Sequence, residues 1–265
     1  MLLFSLLLNA TLVIGLYIKH KLTLSGSIAA FILGFIVLGY GHPLFYILMM
    51  FFLFSSLLIN KVILRFIPNI KAPQKDHEPR RWINVFANGS LLGVASLLYV
   101  WLPSSWVIAL GIISMAASTA DTWASEIGSC SLQTPWTLIK RQPIQTGLSG
   151  GVTWLGLYAS LFGSMFISAL SLPSIIQIFG FNVLSLGLFA LFTLAGFGGS
   201  LVDSILGELF QAKFENASHE IVEVLHHSTD KLVSGVTWMD NHMVNFLSNV
   251  ITISIFTPLF QTIIR

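Results

Sequence analysis

Two short runs of this sequence put carboxylates at the ends of otherwise apolar segments. The first is Ser118-Thr-Ala-Asp121-Thr-Trp-Ala-Ser125-Glu126-Ile-Gly128, and the second is Ser200-Leu-Val-Asp203-Ser204-Ile-Leu-Gly207-Glu208-Leu209. They match at Ser, Asp, Thr/Ser, Ser/Gly, Glu and Ile/Leu, which reads as an internal duplication. An ionisable residue inside an apolar span is costly to place and marks a functional site by default. Two matching Asp-x4-Glu elements therefore suit a symmetric site for a cation, most simply Mg²⁺, which prefers carboxylate oxygen. Read as helices, Ser114, Ser118, Asp121, Ser125 and Gly128 form one small-residue stripe, and Gly196, Ser200, Asp203 and Gly207 form another. Glu126 lies about 140° around the helix from Asp121. The two share a ligand only if the helix breaks near Gly128 or a neighbour completes the site.

Other residue types point to phosphate. In Thr146-Gly-Leu-Ser-Gly150-Gly151-Val-Thr153, glycines allow close backbone approach to a ligand, and a helix N-terminus offers N–H groups to an anion. No Gly-Lys-Ser/Thr follows, so it is not a Walker A loop, and a glycine-rich helix contact accounts for it equally well. Arg80 and Arg81, with Asn84 and Asn88 one and two turns on, suit bidentate phosphate binding or lipid head groups. Asn241, Asn245, Ser248 and Thr252 share a helical face beside Asp240. His226 and His227 sit in an acidic stretch that reads as a solvated loop, and Cys130 reads as a small residue after a helix end.

These residues must be positioned by membrane helices. The chain has 265 residues, of which 55% are hydrophobic and 9% charged, and its mean hydropathy is +0.83. Soluble domains carry about a quarter charged residues. The expected fold is an all-α polytopic bundle in one domain, with eight spans near residues 1–18, 22–40, 43–64, 85–102, 105–128, 148–170, 182–210 and 234–260. Residues 173–180 read as a hairpin or interfacial piece after the sixth. A net charge of +2 is too small to imply nucleic-acid binding. Lys and Arg number two, six, two and two in alternate loops and none in the three between, counting Lys61 with the second group. By the positive-inside bias the charged loops face the cytoplasm, both termini lie outside, and every polar motif falls on the cytoplasmic face of the membrane, a bacterial-type inner membrane.

The runs at 120–128, 87–89, 149–153, 199–207 and 240–248 together resemble the motifs of the phytyl-phosphate kinase family, which is similar in turn to CTP-dependent prenol and dolichol kinases. The resemblance covers nearly the whole chain, with two departures, Leu148 in place of Thr and Glu208 in place of a small residue. It implies phosphoryl transfer from a nucleoside triphosphate, CTP in its relatives, to an isoprenoid monophosphate held in the bilayer. On this expectation Asp121, Glu126, Asp203 and Asp240 hold Mg²⁺, Gly150, Gly151, Thr153 and Arg81 hold phosphates, and Asn88 and Asn245 orient them. No catalytic base and no oligomeric state are assigned. The alternative class is an ion-coupled or lipid-phosphate carrier, whose site belongs near the bilayer midplane.

Overall fold

The structure, a computed structural model, describes residues 2–66, 79–225 and 230–265. Lys71, Lys75, Asp76, His77, Glu78, His226 and His227 lie outside the described residues, as does the side chain of Arg65. Eight helices carry the chain: α1 (Leu2–Ile18), α2 (Leu24–Tyr40), α3 (Pro43–Phe66), α4 (Trp82–Trp101), α5 (Ser105–Gly128), α6 (Trp154–Phe179), α7 (Val183–Leu209) and α8 (Asn241–Ile263). Helices α3 to α8 are each long and apolar enough to cross a membrane, while α1 and α2 have 17 residues each. That length is at the lower limit of roughly 17–25 residues for a span. The expected polytopic helical bundle is therefore what the chain forms.

Helix boundaries follow local chemistry. Thr23, Thr153, Asn182 and Asp240 each accept a backbone N–H of the first turn through the side chain, and so cap α2, α6, α7 and α8. Two expected spans shift as a result. The sixth begins at Trp154, because Thr153 caps it, and continues through Pro173 to Phe179, so 173–180 is not a separate hairpin. Pro173 removes one helical hydrogen bond, but buried Ile175 holds the last turn against the core. The eighth begins at Asn241, seven residues later than expected, because 231–234 pairs as a strand and Asp240 caps the helix.

The polar segments add short strands that the helical reading did not place. β1 (Trp136–Thr137) pairs antiparallel with β2 (Gly151–Val152), and β3 (Lys213–Glu215) lies between β4 (Ile221–Val222) and β5 (Lys231–Ser234). Together they cover the end of the bundle where α5 and α7 finish.

Helix α5 is the axis of the fold. Every residue from Val107 to Ala120 is buried, and α3, α4, α6, α7 and α8 all pack on it. Within lipid, helices gain nothing by leaving water, so van der Waals contact and interhelical hydrogen bonds decide their packing. Small residues supply the contact. A Cβ added at Gly128 would stand 3.0 Å from the Cα of Gly156, which brings α5 and α6 together. Buried serines of α6 supply hydrogen bonds: Ser168 and Ser171 donate to carbonyls one turn back, and Ser164 donates across to the Thr193 carbonyl of α7 at 2.6 Å.

Candidate functional site

A Cβ added at Gly199 of α7 would stand 2.7 Å from the Cβ of Ala117 in α5. Gly196, one turn earlier, packs in the same way on Ala116, so the two helices run in the same direction along this seam. One turn beyond Ala117 and Gly199 come Asp121 and Asp203, whose carboxyl groups lie within hydrogen-bonding reach of each other. Helix α8 supports the pair. Ser248 donates its hydroxyl to Oδ2 of Asp203 at 3.0 Å, and Asn245 donates to the same oxygen at 3.1 Å with its amide oriented to satisfy its neighbours. Two ionised carboxylates this close repel, so a cation or a shared proton belongs between them.

The other expected ligands do not join this pair. Glu126 accepts hydrogen bonds from Ser56 and, at 3.0 Å, from Asn60 of α3, and its Oε1 lies 3.9 Å from the Arg80 guanidinium. Helix α5 stays regular as far as Gly128, so the 140° offset keeps Glu126 turned toward α3. Asp240 is exposed and spends Oδ1 on the Met243 N–H as the cap of α8. Glu208 accepts the backbone N–H groups of Ile139 and Lys140, both at 2.8 Å, and so ties the 129–150 connection to α7. Among the described residues no group of three or more His, Cys, Asp or Glu side chains is placed to hold a metal ion. Of the four expected carboxylates, Asp121 and Asp203 meet as a pair, with Asn245 turned to support Asp203, while Glu126 and Asp240 line the same cavity apart from them.

The glycine run, with Gly150, Gly151 and Thr153, lines a cavity shared with the aspartate pair, and each of these residues also has a packing or capping role. Gly150 has φ +86°, and a Cβ there would stand 2.4 Å from the N of Glu208, so its missing side chain admits the backbone of α7. Gly151 packs on Ile144 and Pro135, and Thr153 is spent as the cap of α6. The donor to an anion is Ser149, which the sequence reading did not single out. Its N–H and hydroxyl both bond the carboxylate of Glu223. Nearby, buried Lys213 donates Nζ to the Gly207 carbonyl at 3.1 Å, and burial, with help from Lys140, pulls its pKa below the usual lysine range.

Both arginines line that cavity, in different surroundings. Arg81 is exposed and precedes α4, with its N–H donating to Asn84 Oδ1 at 2.8 Å. Arg80 is the embedded one, donating to Ser56 Oγ at 2.6 Å and lying over the Phe52 ring. Asn88 donates to the Asn84 carbonyl at 3.1 Å.

A cavity of about 1260 Å³ joins these groups. Its polar part is lined by Arg81, Asn88, Asp121, Ser149, Asp203 and Asn245. Apolar side chains of α1, α2 and α3 line the same cavity, among them Leu12, Leu16, Ala30, Leu53 and Leu57, which pack as one cluster.

Fold and site thus define a polytopic helical membrane protein with a carboxylate pair and apolar side chains lining one cavity. The chain belongs to the integral membrane protein family DUF92, which matches residues 7–253. It is 33% identical to Protein PGR of Arabidopsis thaliana over 95% of this chain and 93% of that protein. It is 29% identical to the uncharacterized membrane protein MJ0933 of Methanocaldococcus jannaschii, over 76% of this chain and 80% of that one. No solved structure matches it.

Proposed function

We propose that the protein transfers a phosphoryl group from a nucleoside triphosphate, with CTP the leading donor, to an isoprenoid monophosphate held in the bilayer. The observation that carries this reading is one cavity lined both by the Asp121–Asp203 pair and by apolar side chains of α1, α2 and α3. An amphipathic substrate fits that shape, its prenyl chain between α1, α2 and α3 and its phosphate at the pair. The distribution of Lys and Arg supports a cytoplasmic mouth, where a soluble nucleotide meets the lipid. The motifs at 120–128, 149–153 and 240–248 support the same reading through their resemblance to phytyl-phosphate kinases.

Phosphoryl transfer asks a protein mainly for positioning and charge neutralisation. An oxygen of the lipid phosphate attacks the γ-phosphorus. The bond from that phosphorus to the bridging β,γ-oxygen breaks, leaving a prenyl diphosphate and a nucleoside diphosphate. The attacking phosphate is already an anion near neutral pH, so the chain needs no base. Asp121 and Asp203 fit Mg²⁺, which proteins hold through one or two carboxylates plus substrate phosphates. When bound, that ion would offset the charge of the triphosphate. Ser248 and Asn245 fix the orientation of Asp203, and exposed Arg81 at the cavity wall meets phosphate oxygens. Both aspartates lie about two turns from the ends of their helices, as a reaction at the membrane surface requires.

The test is a screen of purified protein in lipid nanodiscs. CTP and other triphosphates are offered with phytyl, geranylgeranyl and longer prenyl monophosphates, and prenyl diphosphate is measured. Its formation is the expected result. No product with any pair, together with ion or lipid-phosphate movement in proteoliposomes, would replace the kinase by the carrier.

A further inference from the structure

The loop ahead of α6 already holds an anion, and that anion belongs to the protein itself. Ser149 donates its backbone N–H to Oε1 of Glu223 and its hydroxyl to Oε2 at 3.0 Å, so both carboxylate oxygens are engaged by one residue. Glu223 follows β4 and reaches the loop from a different polar segment. The loop is pressed against α7: a Cβ at Gly207 would stand 2.9 Å from the Gly150 N and 3.3 Å from the Ser149 Cβ. The carbonyl of the same Gly207 takes the Nζ of Lys213, a buried cation that Glu223 also acts on electrostatically. Ser149 and Glu223 line the cavity that contains Asp121 and Asp203.

This is the donor set of an oxyanion site: a backbone N–H, a hydroxyl and a neighbouring ammonium. A carboxylate carries one negative charge and two oxygens. A phosphate carries nearly two charges and three acceptor oxygens, so it gains more from the same donors. We propose that Ser149 and Lys213 form a seat for a substrate phosphate group, and that Glu223 occupies it as an internal stand-in that the phosphate displaces. The proposal rests on the reading of this cavity as a phosphate-handling site and adds its regulation. While Glu223 is seated, the 220–225 segment lies across the cavity wall. Exchange for phosphate releases that segment, so the site loosens as it loads.

Glu223→Gln keeps the shape of the side chain and removes its charge. Inorganic pyrophosphate binding to full-length protein in nanodiscs, read by calorimetry, is then expected to tighten about tenfold, the worth of one charged competitor. Ser149→Ala in the Glu223→Gln background cancels that gain. The same comparison with CTP and with geranylgeranyl monophosphate assigns the seat to whichever ligand gains, and a gain for none of the three probes overturns the proposal. Hydrogen exchange of the unaltered protein decides even if Glu223→Gln fails to fold. Pyrophosphate is expected to protect 147–151 and to speed exchange in 220–225, whereas protection of both segments, or of neither, would mean that Glu223 only clamps the loop. Asp121→Asn separates this proposal from the kinase reading, because the affinity gain persists in that background. A gain without turnover in any preparation leaves the seat standing and removes the kinase.

Discussion

Asp121 and Asp203 come into contact one helical turn past the point where Ala117 of α5 touches Gly199 of α7. Their meeting is a product of packing. Small residues draw the two helices together, the helices run in the same direction, and the next turn brings the two carboxyls face to face. Substitution of either aspartate by Asn keeps the shape and removes the charge. Turnover of prenyl monophosphate is expected to fall at least a hundredfold while the melting temperature holds. The double variant should be scarcely worse than either single one, because groups that act as a unit lose activity together. Near-full activity in both single variants would remove the pair from the reaction.

Ser248 and Asn245 bond the same oxygen of Asp203, so their loss acts on the orientation of that carboxylate. Ser248→Ala and Asn245→Ala are each expected to raise the Mg²⁺ concentration for half-maximal rate by about 10–100-fold, the usual effect of losing such a support. Saturating Mg²⁺ restores most of the rate. A changed maximal rate with an unchanged Mg²⁺ requirement would contradict this assignment.

Arg80 and Arg81 should separate cleanly. Arg80→Ala removes the guanidinium beside Glu126 while the bonds from Ser56 and Asn60 remain, and breaking the partly buried pair is expected to cost about 3 kcal/mol. Adding Glu126→Gln recovers part of that loss, which thermal unfolding in detergent measures. Arg81→Lys changes stability by less than about 0.5 kcal/mol. On the proposed phosphate role it is expected to weaken pyrophosphate binding, read by calorimetry, because an ammonium lacks the planar fork.

The apolar side of the cavity can be filled from within. Ala30 lines it, and Ala30→Phe inserts a ring into the cluster with Leu12, Leu16 and Leu53. The KM for geranylgeranyl monophosphate is expected to rise while kcat with a short prenyl monophosphate is kept. Equal effects on long and short substrates would place the chain elsewhere.

Gly150→Ala tests the loop. A left-handed φ and a Cβ at 2.4 Å from the Glu208 N together predict a loss of roughly 2–4 kcal/mol, from strained backbone and overpacking. A melting temperature within one degree of the parent would show that the loop shifts freely away from α7.

The primary sequence determined the membrane bundle, because long apolar runs bounded by capping residues and charged loops leave a chain in lipid little choice but helices. It also marked Asp121, Asp203 and the α8 stripe of Asn245 and Ser248, since polar residues at helical spacing inside apolar runs stand out against their surroundings. Only the tertiary structure decided partnership. Asp121 and Glu126 are five residues apart and face different helices, while Asp121 and Asp203 are far apart in sequence and touch. Glu208 looked like a repeat of Glu126, yet it ties a loop by its backbone. Glu223 and Lys213 carry no distinctive local pattern, and the runs that hold Ser149 and Arg80 do not say which partners those two residues take. Their roles come from contacts between segments of different loops and helices, and such contacts leave no periodicity in the sequence for a reader to find.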